Sequence, residues 1–121
     1  VPEFITRFKK IKGDKFKIQG TGNEIRSFIY IDDFVSAFDL ILKKGKHLQI
    51  YNIGTSEKLS IKSLVKVLAA LLGKKINIKK SSLQKGGTKK RLPNITKIKK
   101  LGFKKKFNIK QGLMKTIKFY Y

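Results

Sequence analysis

Apolar residues with helical spacing, in segments that glycines interrupt, are the feature that most limits what this chain can fold into. The first segment follows Pro2, a residue suited to the first turn of a helix, and carries Phe4, Ile5, Phe8 and Ile11. A second segment begins at Asp32-Asp33 and ends near Lys43-Lys44-Gly45. Its apolar residues predict a stripe along one side, made of Phe34, Val35, Phe38, Ile41 and Leu42. Each segment therefore predicts an amphipathic helix.

Three later helices are indicated by the residues that can cap them. Ser60 predicts a helix over 61–72, and Asn94 predicts a shorter helix that ends at Leu101. Phe107-Asn108 introduce a last helix with regularly spaced apolar residues. The chain is therefore expected to contain about five helices.

Short runs of alternating polar and apolar residues predict strands between the helices. The glycines at 20–23 predict a turn where the first two strands meet, and 81–93 reads as a polar loop. The predicted strands are 15–19, 27–31, 47–54 and 76–78. We expect an α+β fold over 1–121 as one region, without the long βαβ series of a complete doubly wound sheet. Such a layout is typical of an appendage to something larger.

The charge of the chain is strongly positive and unevenly distributed. There are 30 Lys and Arg against 7 Asp and Glu, and positions 58–121 hold 20 basic residues and no acidic one. Such a field attracts nucleic acid and phosphorylated ligands. However, 27 of the basic residues are lysine, whereas phosphate-clamping and base-reading surfaces favour the arginine fork. We interpret the lysines as a solvated surface, with a small nucleic-acid-binding module as the alternative, and regard the three arginines as more informative.

Composition also limits the class of protein. There is no cysteine, which excludes disulfides and thiolate zinc sites. No apolar run approaches the roughly 18 residues that span a bilayer, and the opening VPEFITRF does not form a signal peptide. We therefore expect a cytoplasmic protein without a membrane partner. Because the chain starts without methionine at the edge of a helix, we also expect it to lie within a longer protein.

The stretch GTGNEIRSFIYIDD, at 20–33, combines a glycine turn, an arginine and two carboxylates. Its glycines do not form the dinucleotide fingerprint GxGxxG, because the third position is Ile25 and a strand follows rather than a helix. Asp32 and Asp33 diverge at a helix start, and His47 is the single histidine. We therefore expect a helix cap rather than a metal site or an acid–base pair.

Arg26 and Arg91 are the candidate anion-binding residues. Arg26 lies between the glycine turn and an apolar run, although pairing with Glu24 or Asp32 explains it equally well. Arg91 ends a basic run before Pro93, where a solvated charge is the commoner explanation. A bound phosphate would gain charge-assisted hydrogen bonds of about 1.5–3 kcal/mol each. The residues alone indicate anion binding and no bond-breaking machinery.

Four motifs in order resemble one family. They are Pro2-Glu3-Phe4-Ile5, Gly20-Thr21-Gly22 with Arg26 through Asp33, Tyr51-Asn52-Ile53-Gly54, and Pro93 through Gly102-Phe103. Together they resemble the C-terminal part of the extended short-chain dehydrogenase/reductases that act on nucleotide-diphosphate sugars, namely epimerases, dehydratases and UDP-glucuronate decarboxylases. The resemblance covers essentially the whole chain.

The resemblance implies the substrate-binding region of a two-part enzyme whose N-terminal Rossmann domain holds NAD or NADP. The catalytic Tyr-x-x-x-Lys pair would lie in that domain, since no tyrosine here is followed by lysine four positions later. We therefore expect no catalytic residue, cofactor or metal in this region alone, and no turnover by it. The full enzyme would oxidise the sugar transiently before epimerisation, dehydration or decarboxylation. A homodimer of the full-length enzyme is a further expectation.

The resemblance also implies roles for individual residues. Arg26 corresponds to an arginine that contacts the substrate diphosphate, and Arg91 to a second phosphate contact. Lys17 and Gln19 lie on the strand whose backbone meets the nucleotide base. Asp33 matches a carboxylate at a helix start, which again implies a cap.

One stretch departs from the family pattern. Epimerase relatives carry R-x-G-D, which supplies a further arginine and a ribose-binding aspartate, whereas Gln84 and Gly87 stand at these positions here. Asn94 replaces another aspartate and preserves a helix cap. The departure puts ribose recognition in doubt, and it leaves open a degenerate member kept for structure or assembly.

Overall fold

A computed structural model of the protein describes residues 1–83 and 85–121. Within these ranges the helices are α1 (Pro2–Lys10), α2 (Ile31–Lys44), α3 (Ile61–Leu71), α4 (Thr96–Lys100) and α5 (Ile109–Tyr120). The strands are β1 (Lys15–Lys17), β2 (Ile25–Arg26), β3 (Leu59–Ser60), β4 (Asn77–Lys79) and β5 (Lys90–Arg91). The predicted α+β class, with about five helices and short strands, is confirmed for the described part of the chain.

The strands form two small sheets. In one, β1 and β4 run parallel, with Phe16 opposite Ile78. In the other, β2 lies in the middle, antiparallel to β3 and parallel to β5. The first two strands do not pair with each other across the glycine turn, because β1 and β2 belong to different sheets. The turn instead carries the chain from one sheet to the other.

Two of the predicted strands are also wrong. Residues 27–30 are irregular and lead directly into α2, and 47–54 form no strand in the described structure. The physical reason is that alternation marks an extended segment, whereas a strand also needs a neighbour for its backbone groups. Ile25 has such a neighbour, since its amide donates to the carbonyl of Lys89 at 2.8 Å.

The capping residues set the helix starts largely as predicted. The Ser60 hydroxyl accepts a hydrogen bond from the Ser63 amide at 3.0 Å at the start of α3. At the start of α5, Asn108 and Gln111 form a reciprocal capping box with both bonds at 2.9 Å. Asn94 accepts from the Thr96 amide at 3.0 Å, one residue before the formal cap of α4. These predictions are confirmed to within a residue or two.

Most of the buried apolar surface lies where α1, α3 and α5 meet β1. We call this set the main cluster; it comprises Ile5, Phe8, Phe16, Ile18, Leu64, Val65, Leu68, Ala69 and Leu113. The rings of Phe8 and Phe16 stack with their centroids 4.3 Å apart. A second, smaller set, the minor cluster, joins α2 to α4 through Ala37, Ile95, Ile98 and Phe103.

Most of the apolar stripe predicted on α2 is not covered, although Ile41 packs against the minor cluster. Val35, Phe38 and Leu42 are 56%, 51% and 70% exposed, while the buried residues of α2 are Asp33 and Ala37. Helical spacing defines an apolar side of a helix, but the rest of the fold decides which side is covered. No helix in the described ranges is both long and apolar enough to cross a membrane.

Candidate functional site

The glycine turn that precedes β2 is held by Glu24, which the sequence analysis considered only as a partner of Arg26. Glu24 is 5% exposed, and its carboxylate accepts hydrogen bonds from the Thr21 amide at 2.8 Å, the Thr21 hydroxyl at 2.9 Å and the Gly22 amide at 2.8 Å. Gly20 and Gly22 both have φ of 85°, in the left-handed region that favours glycine. The prediction of a turn at 20–23 is confirmed.

The same contacts set the protonation of Glu24. Burial raises the pKa of its carboxyl, but the hydrogen bonds donated by Thr21 and Gly22 together outweigh burial, so that the pKa lies below its ordinary value. Glu24 is therefore an anion near neutral pH, and its charge is stabilised by the turn rather than by Arg26. Among the described residues, the ion pairs are Arg7–Glu3, Lys43–Asp39 and Lys105–Glu57. The alternative that Arg26 pairs with Glu24 or Asp32 is not observed.

Strand register brings the two candidate arginines together. In the parallel pair of β2 and β5, Arg26 lies opposite Arg91. Neighbouring strands lie about 4.8 Å apart, and paired residues share one face of the sheet. The Arg26 guanidinium donates to the carbonyls of Ile25 and Thr88, both at 2.8 Å, and Nη2 of Arg91 lies 3.5 Å from the Thr88 hydroxyl. Two guanidinium groups thus converge on Thr88.

This arrangement is electrostatically unfavourable in the absence of an anion. Like charges opposite each other on neighbouring strands destabilise a sheet. Arg26 is half-buried and Arg91 is exposed, so an anion from solvent has access to both. Such a pair can hold two phosphoryl groups by charge-assisted hydrogen bonds in a fork geometry.

A cavity of about 310 Å³ lies beside Arg26. Its lining includes Phe4, Arg7, Gln19, Glu24, Arg26 and Gly87. Of the residues predicted on β1 and just after it, Gln19 lines this cavity, whereas the Lys17 side chain is exposed and its carbonyl accepts a hydrogen bond from Arg7. Gly87 contributes no carboxylate to the lining, and Gln84 lies outside the described residues.

Arg7 is a cavity residue that the sequence reasoning missed. Its guanidinium carbon lies 4.5 Å from the centre of the Phe16 ring, and Nη1 lies 3.5 Å from a carboxylate oxygen of Glu3. The available signal was its rarity, since Arg7 is one of three arginines in a lysine-rich chain. Its place on α1, six residues before the first glycine, gave no indication that it would reach the cavity.

The predicted cap role of Asp33 is wrong. The cap position of α2 is Tyr30, and Asp33 lies inside the first turn with 1% exposure. Its carboxylate accepts hydrogen bonds from the amides of Lys106 at 2.8 Å and Phe107 at 3.1 Å. Asp33 therefore ties α2 to the segment that leads into α5. A long-range partner of this kind leaves no local pattern in the sequence.

The remaining candidates form no metal site in the described structure. His47 is exposed in the segment after α2, and no three His, Cys, Asp or Glu side chains of the described residues come close enough to hold a metal ion.

Comparisons with known proteins agree with the motifs. Residues 1–54 match the model of the NAD dependent epimerase/dehydratase family. The dTDP-D-glucose 4,6-dehydratase of Bos taurus is 36% identical over 129 residues, which cover 99% of this chain and 35% of that protein.

Two solved structures are similar to almost the whole chain. UDP-glucose 4-epimerase from Thermotoga maritima, solved with UDP-glucose, has a TM-score of 0.86 at 29% identity over 98% of this chain and 38% of its own. The dTDP-glucose 4,6-dehydratase of Bacillus anthracis, solved in complex with NAD, has a TM-score of 0.85 at 28% identity over 98% of this chain and 38% of its own.

The chain spans between 18% and 38% of the length of curated relatives that match it from end to end. The resemblance predicted from the motifs is confirmed: this chain is related, over nearly its whole length, to part of the NAD-dependent epimerases and dehydratases of nucleotide sugars.

Proposed function

We propose that this chain is the substrate-binding region of an NAD(P)-dependent epimerase or dehydratase and binds a nucleotide-diphosphate sugar. The observation that carries the proposal is the register of β2 and β5, which aligns Arg91 with Arg26, a residue that lines a cavity of mixed polar and apolar side chains. The UDP-glucose in the related Thermotoga maritima epimerase supports the substrate class.

The diphosphate accounts best for the arginine pair. Arg26 and Arg91 each bind one phosphoryl group, which removes the repulsion between their guanidinium groups. The cavity volume of about 310 Å³ is at the lower end of small-molecule sites, which range from about 300 to 1,000 Å³. It suits the nucleoside part of the ligand, while the sugar extends towards the rest of the enzyme.

The base lies against β1 and the residues that follow it. Gln19 lines the cavity and contacts the base, while Lys17 contributes through its backbone, since its side chain is exposed. Gly87 lies in the cavity wall where relatives carry the ribose-binding aspartate, so ribose is held without that carboxylate.

The rest of the enzyme, an N-terminal Rossmann domain, holds NAD or NADP and the catalytic residues. The NAD in the related Bacillus anthracis dehydratase supports this division. The region at 1–121 binds and orients the sugar nucleotide, and the sugar is oxidised transiently with its hydride passing to the cofactor. By itself the region does not turn over substrate.

The exposed side of α2 packs against that domain. Val35, Phe38 and Leu42 are all more than half exposed, and Leu48 and Ile50 in the following segment are 88% and 79% exposed. Exposed apolar side chains that follow one another along a helix and the next segment are expected at an interface. The full-length enzyme forms a homodimer through surfaces outside this region.

Isothermal titration of UDP-glucose, dTDP-glucose and a GDP-sugar against the full-length protein tests the proposal. We expect one of them to bind, and Arg26→Ala to weaken that binding by about 10- to 100-fold, because one charge-assisted contact is lost. Lys90→Ala is the matched control, since it removes a positive charge beside Arg91 on the same strand. Equal affinity of wild type and Arg26→Ala, or equal losses in both variants, would contradict the arginine assignment.

A further inference from the structure

Arg7 is the arginine for which the proposed function has no role. It lies on α1, and its side chain, 36% exposed, forms part of the wall of the cavity that also contains Arg26 and Gln19. We propose that Arg7 contacts the nucleobase of the bound nucleotide and selects bases that carry a ring carbonyl oxygen. This inference rests on the proposed function.

The guanidinium of Arg7 is held in place before any ligand binds. Its Nη2 donates to the Lys17 carbonyl, and its carbon lies 4.5 Å from the ring centre of Phe16, which is 1% exposed. The centre of the Phe4 ring lies 5.7 Å from the same guanidinium carbon. A group fixed by two aromatic rings and a backbone carbonyl loses little side-chain entropy when a ligand arrives, which favours its use in recognition.

The charges around Arg7 distinguish it from the diphosphate pair. Glu3 lies 3.5 Å from Nη1 and partly balances the charge of Arg7, whereas the ion pairs of the described residues include neither Arg26 nor Arg91. A diphosphate is therefore drawn to the uncompensated pair. A compensated guanidinium still offers planar N–H donors, which suit a neutral carbonyl oxygen or the face of an aromatic base.

The position of Arg7 in the fold agrees with a base contact. Its backbone partner, Lys17, is on β1, and Gln19 lies two residues later in the same cavity wall. Arg26 and Arg91 belong to the other sheet. The cavity thus has one wall near β1 that contains the fixed donors of Arg7, and another that contains Arg26, the strand partner of Arg91. Uracil, thymine and guanine carry ring carbonyl oxygens that can accept from Arg7, and adenine carries none.

The test measures affinity of the full-length protein for UDP-glucose, ADP-glucose and inorganic pyrophosphate. Arg7→Met removes the donors and keeps an unbranched apolar chain over Phe16. We expect Arg7→Met to lower the affinity for UDP-glucose about tenfold or more and to change the affinity for pyrophosphate by less than about twofold. The variant should also show a smaller preference for UDP-glucose over ADP-glucose. Lys10→Met is the control, since it removes a charge from an exposed position of the same helix.

Three results would overturn the proposal: unchanged affinity of Arg7→Met for UDP-glucose, an equal loss for pyrophosphate, or the same loss in Lys10→Met. If thermal unfolding shows that Arg7→Met does not fold, Arg7→Lys replaces it, because lysine keeps the charge without the planar fork. A base preference retained in Arg7→Lys would also overturn the proposal. If wild type binds none of UDP-glucose, dTDP-glucose and a GDP-sugar, the proposed function itself fails, and the role of Arg7 fails with it.

Discussion

Helices α1 and α2 are both amphipathic, and the same apolar spacing predicts both, yet their apolar sides meet different surroundings. Ile5 and Phe8 of α1 are 0% exposed within the main cluster, whereas Val35 and Leu42 of α2 are 56% and 70% exposed. The region around α1 therefore completes its own core. The region around α2 presents an apolar side for which the described residues supply no cover.

The way α2 is attached explains how it can leave that side open. Ala37 packs in the minor cluster, and Asp33 accepts two backbone hydrogen bonds from the segment before α5. These contacts use the opposite side of the helix from Val35 and Phe38. One region thus buries its apolar side within the described residues and the other leaves it exposed, and we propose that the rest of the enzyme covers the second.

Truncating one phenylalanine in each region should give the largest difference between the two helices. Phe8→Ala removes a buried ring that stacks on Phe16, and we expect it to lower the free energy of unfolding by about 3–5 kcal/mol. Phe38→Ala in the same 121-residue chain should cost about 0.5 kcal/mol or less, because half of that side chain is already in water. Urea unfolding measures both values.

Phe38→Ala also tests whether the apolar side of α2 is covered in the full-length protein. In the full-length protein, Phe38→Ala should cost about 1–2 kcal/mol more than in the chain of residues 1–121, since its ring is then buried. Equal costs in the two proteins would mean that the side of α2 remains open to solvent and is not an interface.

Asp33 supplies the next largest effect, because it anchors α2 by polar contacts. Asp33→Ala removes a buried carboxylate and leaves the amides of Lys106 and Phe107 without their acceptor, and we expect a loss of about 2–4 kcal/mol in unfolding free energy. Asp32→Ala is the matched control at an exposed neighbour, with an expected change of about 0.5 kcal/mol or less. Similar losses for the two residues would instead favour the helix-cap role predicted from sequence.

How far sequence reasoning succeeds depends on the range of the interaction involved. The starts of α3 and α5 follow from Ser60 and Asn108, whose partners are three residues away, and the turn at 20–23 follows from its glycines. The partners of Asp33 lie more than 70 residues away, so local pattern pointed to a cap instead.

The features of the candidate site likewise divide into those that local motifs reveal and those that depend on long-range contacts. Arg26 and Arg91 were identified from their motifs, but their alignment depends on the parallel pairing of β2 with β5, which no local spacing reveals. Glu24 was considered as a partner of Arg26, whereas it binds the turn three residues before it. Arg7 was missed because α1 and the cavity meet only in the folded chain.

A smaller effect concerns Glu24, which holds the turn between the main cluster and β2. Because its pKa is lower in the folded than in the unfolded state, its contribution to stability is complete above the ordinary glutamate value of about 4.3. It is lost as pH falls through the lower folded value. Glu24→Gln should therefore flatten the acid limb of the stability–pH profile measured by urea unfolding. Glu57→Gln, at an exposed ion pair, is the control, and an acid limb identical in Glu24→Gln and wild type would contradict the account.

The most direct test of the central claim, that Arg26 and Arg91 together bind a substrate diphosphate, is a double-mutant cycle on sugar-nucleotide affinity. Wild type, Arg26→Ala, Arg91→Ala and the double variant of the full-length protein are titrated with the sugar nucleotide that wild type binds. We predict that each single change weakens binding and that the double variant loses less than the sum of the two losses in free energy, with a coupling of about 0.5–3 kcal/mol. Strictly additive losses, or no loss from either substitution, would contradict a shared diphosphate.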